Sequence, residues 1–171
     1  DTTTNYELGF KSTLMDGRVT LNGAVYYIEW TDPQLSSATI NASIPITVNA
    51  EGAESKGFEV NGAWAVSENL SVRGSYSHSE ASLTADAPGL VGTISPPGFG
   101  TVLLDGRDGD RLPGSPEDQF AVFGTYVMPM ENGAELAFNA GYTWQGDVLR
   151  TYYTHVGAPR SIGVRFKYTF E

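Results

Sequence analysis

Asp105-Gly-Arg-Asp-Gly-Asp110 brings several carboxylates close together in the chain, and hard cations such as calcium are held by just such oxygen clusters. The run lacks the spacing and the closing bidentate glutamate of an EF-hand, and Arg107 and Arg111 oppose a cation. A solvated loop tip is the expectation there. His78 and His155 are the only histidines. His78 falls on the strand phase of Tyr76 near a strand end and His155 falls in a loop, so no shared metal site is expected. No Ser-His-Asp arrangement can be argued from them, which makes a hydrolase the weakest alternative. The remaining candidate is Thr151-Tyr-Tyr-Thr-His155, flanked by Arg150 and Arg160. Aromatic rings beside cations suit an anionic, partly apolar ligand such as an iron chelate, with Arg150, Tyr152, Tyr153 and His155 as its contacts. The competing reading is a set of aromatics capping a strand end. No cofactor is expected.

The elements that must position these residues are strands. With 20 Gly, 9 Pro, 12% aromatic and only 18% charged residues among 171, the chain reads as one all-β domain with many turns. No apolar run approaches the roughly 20 residues a membrane helix needs. Cysteine is absent, so there is neither a disulfide framework nor a thiolate metal site. A formal net charge of -10 argues against nucleic acid as a partner. No signal peptide is expected within these residues.

Apolar residues alternate with polar ones along the chain, as they do on a strand with two unlike faces. Tyr6, Leu8, Phe10 and Leu14 oppose Glu7, Gly9, Lys11 and Thr13, and Asp16-Gly17 then gives a strong hairpin signal. Val19, Leu21, Val25 and Tyr27 continue the pattern, followed by Phe58, Val60 and Trp64, then Leu70, Val72 and Tyr76. Residues 119–128 and 134–145 form another hairpin around Met130-Glu-Asn-Gly133. Mid-strand charges (Glu7, Lys11, Arg18, Glu59, Arg73, Glu135, Arg165 and Lys167) all take the polar phase. On the apolar phase Glu29, Glu54, Lys56, Glu80 and Arg160 occur only near strand ends. A lipid-facing charge costs about 2–4 kcal/mol at the bilayer midplane and much less near the interface, which predicts this distribution. Aromatics gather at strand ends, as an interfacial girdle would.

The connections are lopsided. Those at 16–17, 66–69 and 130–133 are short, whereas 31–53, 83–117 and 146–158 are long, with Pro88 to Gly100 expected as a mobile surface loop. Short turns on one side and long extracellular loops on the other is the outer-membrane arrangement. About seven spanning strands result, the last descending to the periplasm, and strand parity puts residue 1 in an extracellular loop. A closed bacterial barrel needs an even number of strands, at least 8, so the chain reads as the end of a larger barrel. The last strand is Ser161-Ile-Gly-Val-Arg-Phe-Lys-Tyr-Thr-Phe170. It resembles the C-terminal assembly signal of bacterial outer-membrane proteins, and the resemblance implies that Gly163, Phe166, Tyr168 and Phe170 are read by the barrel-assembly machinery.

Longer stretches carry a further resemblance. Asn5 to Asp32 looks like the hairpin found late in TonB-dependent outer-membrane receptors, and Ala53-Glu-Ser-Lys-Gly-Phe-Glu-Val60 resembles their next descending strand. Leu70 to Glu80, Arg111-Leu-Pro-Gly-Ser-Pro-Glu-Asp-Gln119 and the last strand follow in family order, so the likeness covers essentially residues 1–171. It implies the C-terminal part of an antiparallel transmembrane β-barrel of about 22 strands with a plugged lumen. It also implies a receptor and transporter, not an enzyme, in the outer membrane of a Gram-negative bacterium, taking up a scarce nutrient such as an iron-siderophore with energy from TonB. The plug domain and TonB box belong to the family's N-terminal part and are not among these residues. Barrel lipid, a small-molecule or chelate ligand, and remaining strands or another chain at the open edges are the other implied partners. The alternatives are a small self-closing porin or structural barrel, and a soluble ligand-binding β-barrel of the lipocalin kind.

Overall fold

A computed structural model describes residues 1–38, 45–94, 102–112, 114, 116–150, 153–155 and 161–169. In chain order the strands are β1 (Thr2–Leu14), β2 (Val19–Thr31), β3 (Gln34–Ala38), β4 (Pro45–Asn49), β5 (Gly52–Ala65), β6 (Leu70–Leu83) and β7 (Ala87–Ile94). They continue as β8 (Val102–Gly106), β9 (Asp118–Pro129), β10 (Glu135–Gln145), β11 (Val148–Arg150), β12 (Tyr153–His155) and β13 (Ser161–Thr169). One antiparallel sheet of seven strands runs β1-β2-β5-β6-β9-β10-β13, the number of spanning strands expected. β1 and β13 are its two edges, and no ladder joins them among the described residues, so the sheet does not close on itself.

Register decides which side chains share a face. Leu8 pairs with Val25, Val25 with Phe58, and Phe58 with His78. Tyr76 pairs with Phe120, Phe120 with Trp144, and Tyr142 with Ile162. The pairings never slip by one residue, so the apolar phases of seven strands merge into a single continuous face. That face is uncovered: Leu8 is 76% exposed, Ile162 78% and Phe166 66%. Rings interlock across it, with Phe138 edge-on to Phe166 at 5.4 Å and Tyr126 beside Phe138 at 6.3 Å. The opposite face carries Asn22, Asn61, Ser75, Thr125, Asn139 and the mid-strand charges, and clefts open on it.

The short connections form one end of the sheet. Arg18 N–H donates to the Met15 carbonyl at 3.1 Å, with Asp16 (φ 54°) and Gly17 (φ 88°) at the centre of the turn, the positive-φ pair that such hairpins require. Arg18 itself lies in this turn rather than mid-strand; its Nε donates to the Ala65 carbonyl at 3.1 Å and its Nη2 to that of Val66. At the next turn the Ser67 hydroxyl accepts from Leu70 N–H at 3.1 Å, and at the third the Asn132 side chain accepts from Ala134 N–H at 3.1 Å.

The long connections differ from the bare loops expected. They carry hairpins of their own, β3–β4, β7–β8 and β11–β12. Residues 88–94 of the stretch expected to be a mobile loop lie in β7, and 95–100 fall outside the described residues. The reason is apolar burial. Ala50, Leu83 and Ala87 form a core, with Leu35, Leu90 and Leu112 packed on it, so the first two hairpins and the top of β6 share one interior. Residues 109–112, 116 and 117 run beside β6 beyond the start of β9, where Leu112 N–H donates to Ala81 and Leu83 N–H to Asp110, at 2.8 and 2.9 Å.

Candidate functional site

Side chains that could meet a solute lie in three places: the hairpins at the long-connection end, the polar face of the sheet, and the end of the apolar face nearest the hairpins. Of the expected ligand contacts, Arg150 closes β11 and Tyr153 opens β12, directly paired across the ladder, while His155 pairs with Val148. Tyr152 lies outside the described residues. The structure thus brings Arg150, Tyr153 and His155 into one small hairpin.

The acidic turn uses its carboxylates on backbone N–H groups. Asp105 accepts from Gly89 at 2.7 Å, Asp110 from Arg107 at 2.8 Å, and nearby Asp86 from Asp108 at 3.0 Å. These bonds fasten the turn to β7, and no group of three metal-ligating side chains occurs among the described residues.

His78 lies on the apolar face at its hairpin end, with Nδ1 2.8 Å from Asp118 and Nε2 3.5 Å from Glu80. Asp118 also accepts from the Tyr76 hydroxyl at 2.6 Å. Lys56 bridges Glu54 and Glu80 at 3.3 and 3.8 Å, and the Tyr27 hydroxyl donates to Glu54 at 3.0 Å. Of the strand-end charges noticed in the sequence, Glu54, Lys56 and Glu80 therefore join His78 and Asp118 in a paired belt crossing β5, β6 and β9, with Tyr27 of β2 bonded to it, and Arg160 lies outside the described residues. Its signal was present in the sequence: once register is known, Lys56 must face Glu80.

On the polar face one cleft of about 410 Å³ is lined by amides and hydroxyls with Glu59, including Asn61, Ser75, Gln119 and Thr143. A second, of about 640 Å³, lies nearer the short-turn end, and its charged lining is wholly cationic: Arg73, Arg165 and Lys167. Here the Arg73 guanidinium stands 5.2 Å from the centre of the Phe123 ring. That ring in turn covers Gly141, where an added Cβ would come within 2.6 Å of it. Sequence reading placed the three cations together on the polar phase, as charges that pair with plug or barrel carboxylates, but missed the stack, because nothing in the spacing of Arg73, Phe123 and Gly141 reveals that they fall in one row.

In the last strand, Phe166 pairs with Phe138, Tyr168 with Leu136, and Gly163 with Gly141. Phe170 lies outside the described residues. The family model described as "TonB dependent receptor-like, beta-barrel" matches residues 1–165. The chain belongs to the TonB-dependent receptor family. The match falls on its β-barrel, in agreement with an all-β sheet whose order follows the chain and whose apolar face is exposed. No curated protein matches it. TonB-dependent receptors are outer-membrane transport proteins rather than enzymes, and this barrel segment takes that coarse function from its family.

Proposed function

We propose that residues 1–171 are the C-terminal part of a TonB-dependent receptor barrel, completed by a plug domain and further strands, that takes up a scarce solute such as an iron-siderophore. The family match over 1–165 carries this reading. The apolar face, uncovered even on the inner strands at Val25, Phe58 and Trp64, supports contact with outer-membrane lipid, the phase the outer face of such a barrel meets. The open edges at β1 and β13 support completion by other strands, because unpaired N–H and C=O groups in hydrocarbon cost several kcal/mol each. The hairpin end is extracellular in this reading, and Arg150, Tyr152, Tyr153 and His155 meet the ligand there. TonB acts through the plug, and the barrel-assembly machinery reads Gly163, Phe166, Tyr168 and Phe170.

The test is uptake by a Gram-negative host carrying or lacking the full-length receptor, with a panel of labelled iron chelates and with TonB present or deleted. Uptake of at least one chelate should require both proteins. Equal uptake of the whole panel with and without the receptor would refute the siderophore reading. Replacing Tyr168 and Phe170 with Ala should lower the outer-membrane level of the receptor, and an unchanged level would remove the assembly role.

A further inference from the structure

The structure assigns Arg111 a positioning role: it fastens the β11–β12 hairpin to the buried hairpin cluster, so that the cluster, and not the wall alone, holds that hairpin ready for a solute. The inference rests on the reading that β11–β12 meets the ligand.

The ladder of this hairpin does not account for its order. It pairs Val148 with His155, Leu149 with Thr154 and Arg150 with Tyr153, and a short two-stranded hairpin is at best marginally stable in water. Support comes from the segment that precedes β9. Gly146 N–H donates to the Asp118 carbonyl at 2.8 Å, Val148 bridges Pro116, and Arg111 Nη2 donates to the Asp147 carbonyl at 3.3 Å. Every partner in this set lies within residues 79–148, on strands and connections that the chain itself supplies.

The backbone of Arg111 is anchored in the cluster. It bridges Ser82 of β6, while the Asp110 carbonyl accepts from Leu83 N–H at 2.9 Å and Leu112 N–H donates to Ala81 at 2.8 Å. Leu83 and Leu112 belong to the apolar interior of the first two hairpins. Between that anchor and β9 the strand pairing is interrupted. Ser79 N–H donates to the Glu117 carbonyl at 2.8 Å, so Glu80 alone separates this bond from the one at Ala81, whereas residues 113–116 separate Glu117 from Leu112. The Arg111 side chain spans the interruption. Its Nε meets the Glu117 carboxylate at 3.2 Å while its Nη2 holds Asp147, two acceptors taken by one planar fork. A lysine ammonium, a point charge on a flexible stem, reproduces that arrangement only in part. A hairpin fixed in this way loses less freedom when a solute arrives. A loosened one is competent to bind for only part of the time, and its apparent affinity falls by that fraction.

Residues 1–171 contain no cysteine, so a nitroxide on Thr154→Cys in a full-length receptor with no other cysteine reports the motion of β12 by electron paramagnetic resonance. Arg111→Gln should make this label clearly more mobile, Arg111→Lys should fall in between, and a label on Ala121→Cys in the wall should not change. An equally immobile β12 label in Arg111→Gln, or equal loosening of both labels, would overturn the proposal. Unvaried receptor gives a second reading that needs no variant to fold. Peptides covering 110–112 and 146–148 should lose their hydrogen-exchange protection at the same urea concentration, and release of 146–148 well before 110–112 would also overturn it. With radiolabelled ferric citrate as the probe, Arg111→Gln should raise the half-saturating concentration for uptake about three- to tenfold with the maximal rate kept. A loosened label with unchanged half-saturation would keep the fastening and refute β11–β12 as the place where the ligand is met.

Discussion

The seven-stranded wall and the hairpin cluster at its end use apolar residues in opposite ways. In the wall they stand outward, and the strand backbones pair with one another behind them, so Leu8 and Ile162 remain more than three-quarters exposed. In the cluster, Leu83 is 2% exposed and Ala87 0%, with their neighbours turned inward. Only the cluster is built like a water-soluble protein. The wall leaves its apolar face uncovered, while the cluster closes around its own apolar residues. The two arrangements meet along single strands: Leu83, in the cluster, and Leu70, in the wall, are opposite ends of β6.

The largest effect expected from breaking this comparison comes from a charge on the wall's apolar face. Phe138→Arg should cost about 2–4 kcal/mol in the folded barrel or block its assembly, whereas Ala121→Arg on the polar face should be far milder. Urea unfolding in detergent, with heat-modifiable migration as the assembly readout, separates the two. Equal effects would overturn the face assignment. Next, Leu83→Ala should remove about 2 kcal/mol or more from the cluster, the cavity cost of a buried leucine. Hydrogen exchange should then rise in β3, β4 and β7 while the wall stays protected; equal loosening of both would merge the two regions into one cooperative unit.

Smaller effects sharpen the picture within the wall. Gly141→Ala forces the Phe123 ring aside and should cost about 1–3 kcal/mol, the usual range for overpacking. Gly163→Ala, which meets nothing within 4 Å, should change unfolding by much less. The smallest change is expected from Lys56→Ala, about 0.2–1 kcal/mol and weaker in high salt, because its ion pairs are half-exposed.

The wall was legible in the sequence because a period of two in apolar residues survives any loop length. Phe58, Val60 and Trp64 announce their face whatever precedes them, and the short turns announce themselves through Asp16-Gly17 and Asn132-Gly133. The hairpin cluster was not legible. Leu35 and Ala50 lie in one connection, Leu83 and Ala87 at the start of the next, and they show no local period, so their meeting depends on the wall first bringing those two connections together. The same holds for the cationic cleft: Arg73, Phe123 and Gly141 share a row only through the registers of β6, β9 and β10. Arg150, Tyr153 and His155 were marked by composition, and the β11–β12 ladder pairs Arg150 with Tyr153 and His155 with Val148.

The short-turn end holds strands in place even where the chain between them is long. Ala65 N–H donates to Arg18 and Val127 N–H to Asn69, both at 2.8 Å, so β2–β5 and β6–β9 are each fastened at the end away from their connecting segments. Those segments are thereby released from setting the alignment. Descendants of this gene can lengthen, shorten or exchange them without turning a single wall residue to the wrong side. In the proposed orientation, with the hairpin end extracellular, recognition of new solutes or escape from antibodies and phages would evolve there while the scaffold stays constant, and foreign epitopes could be grafted at the same places.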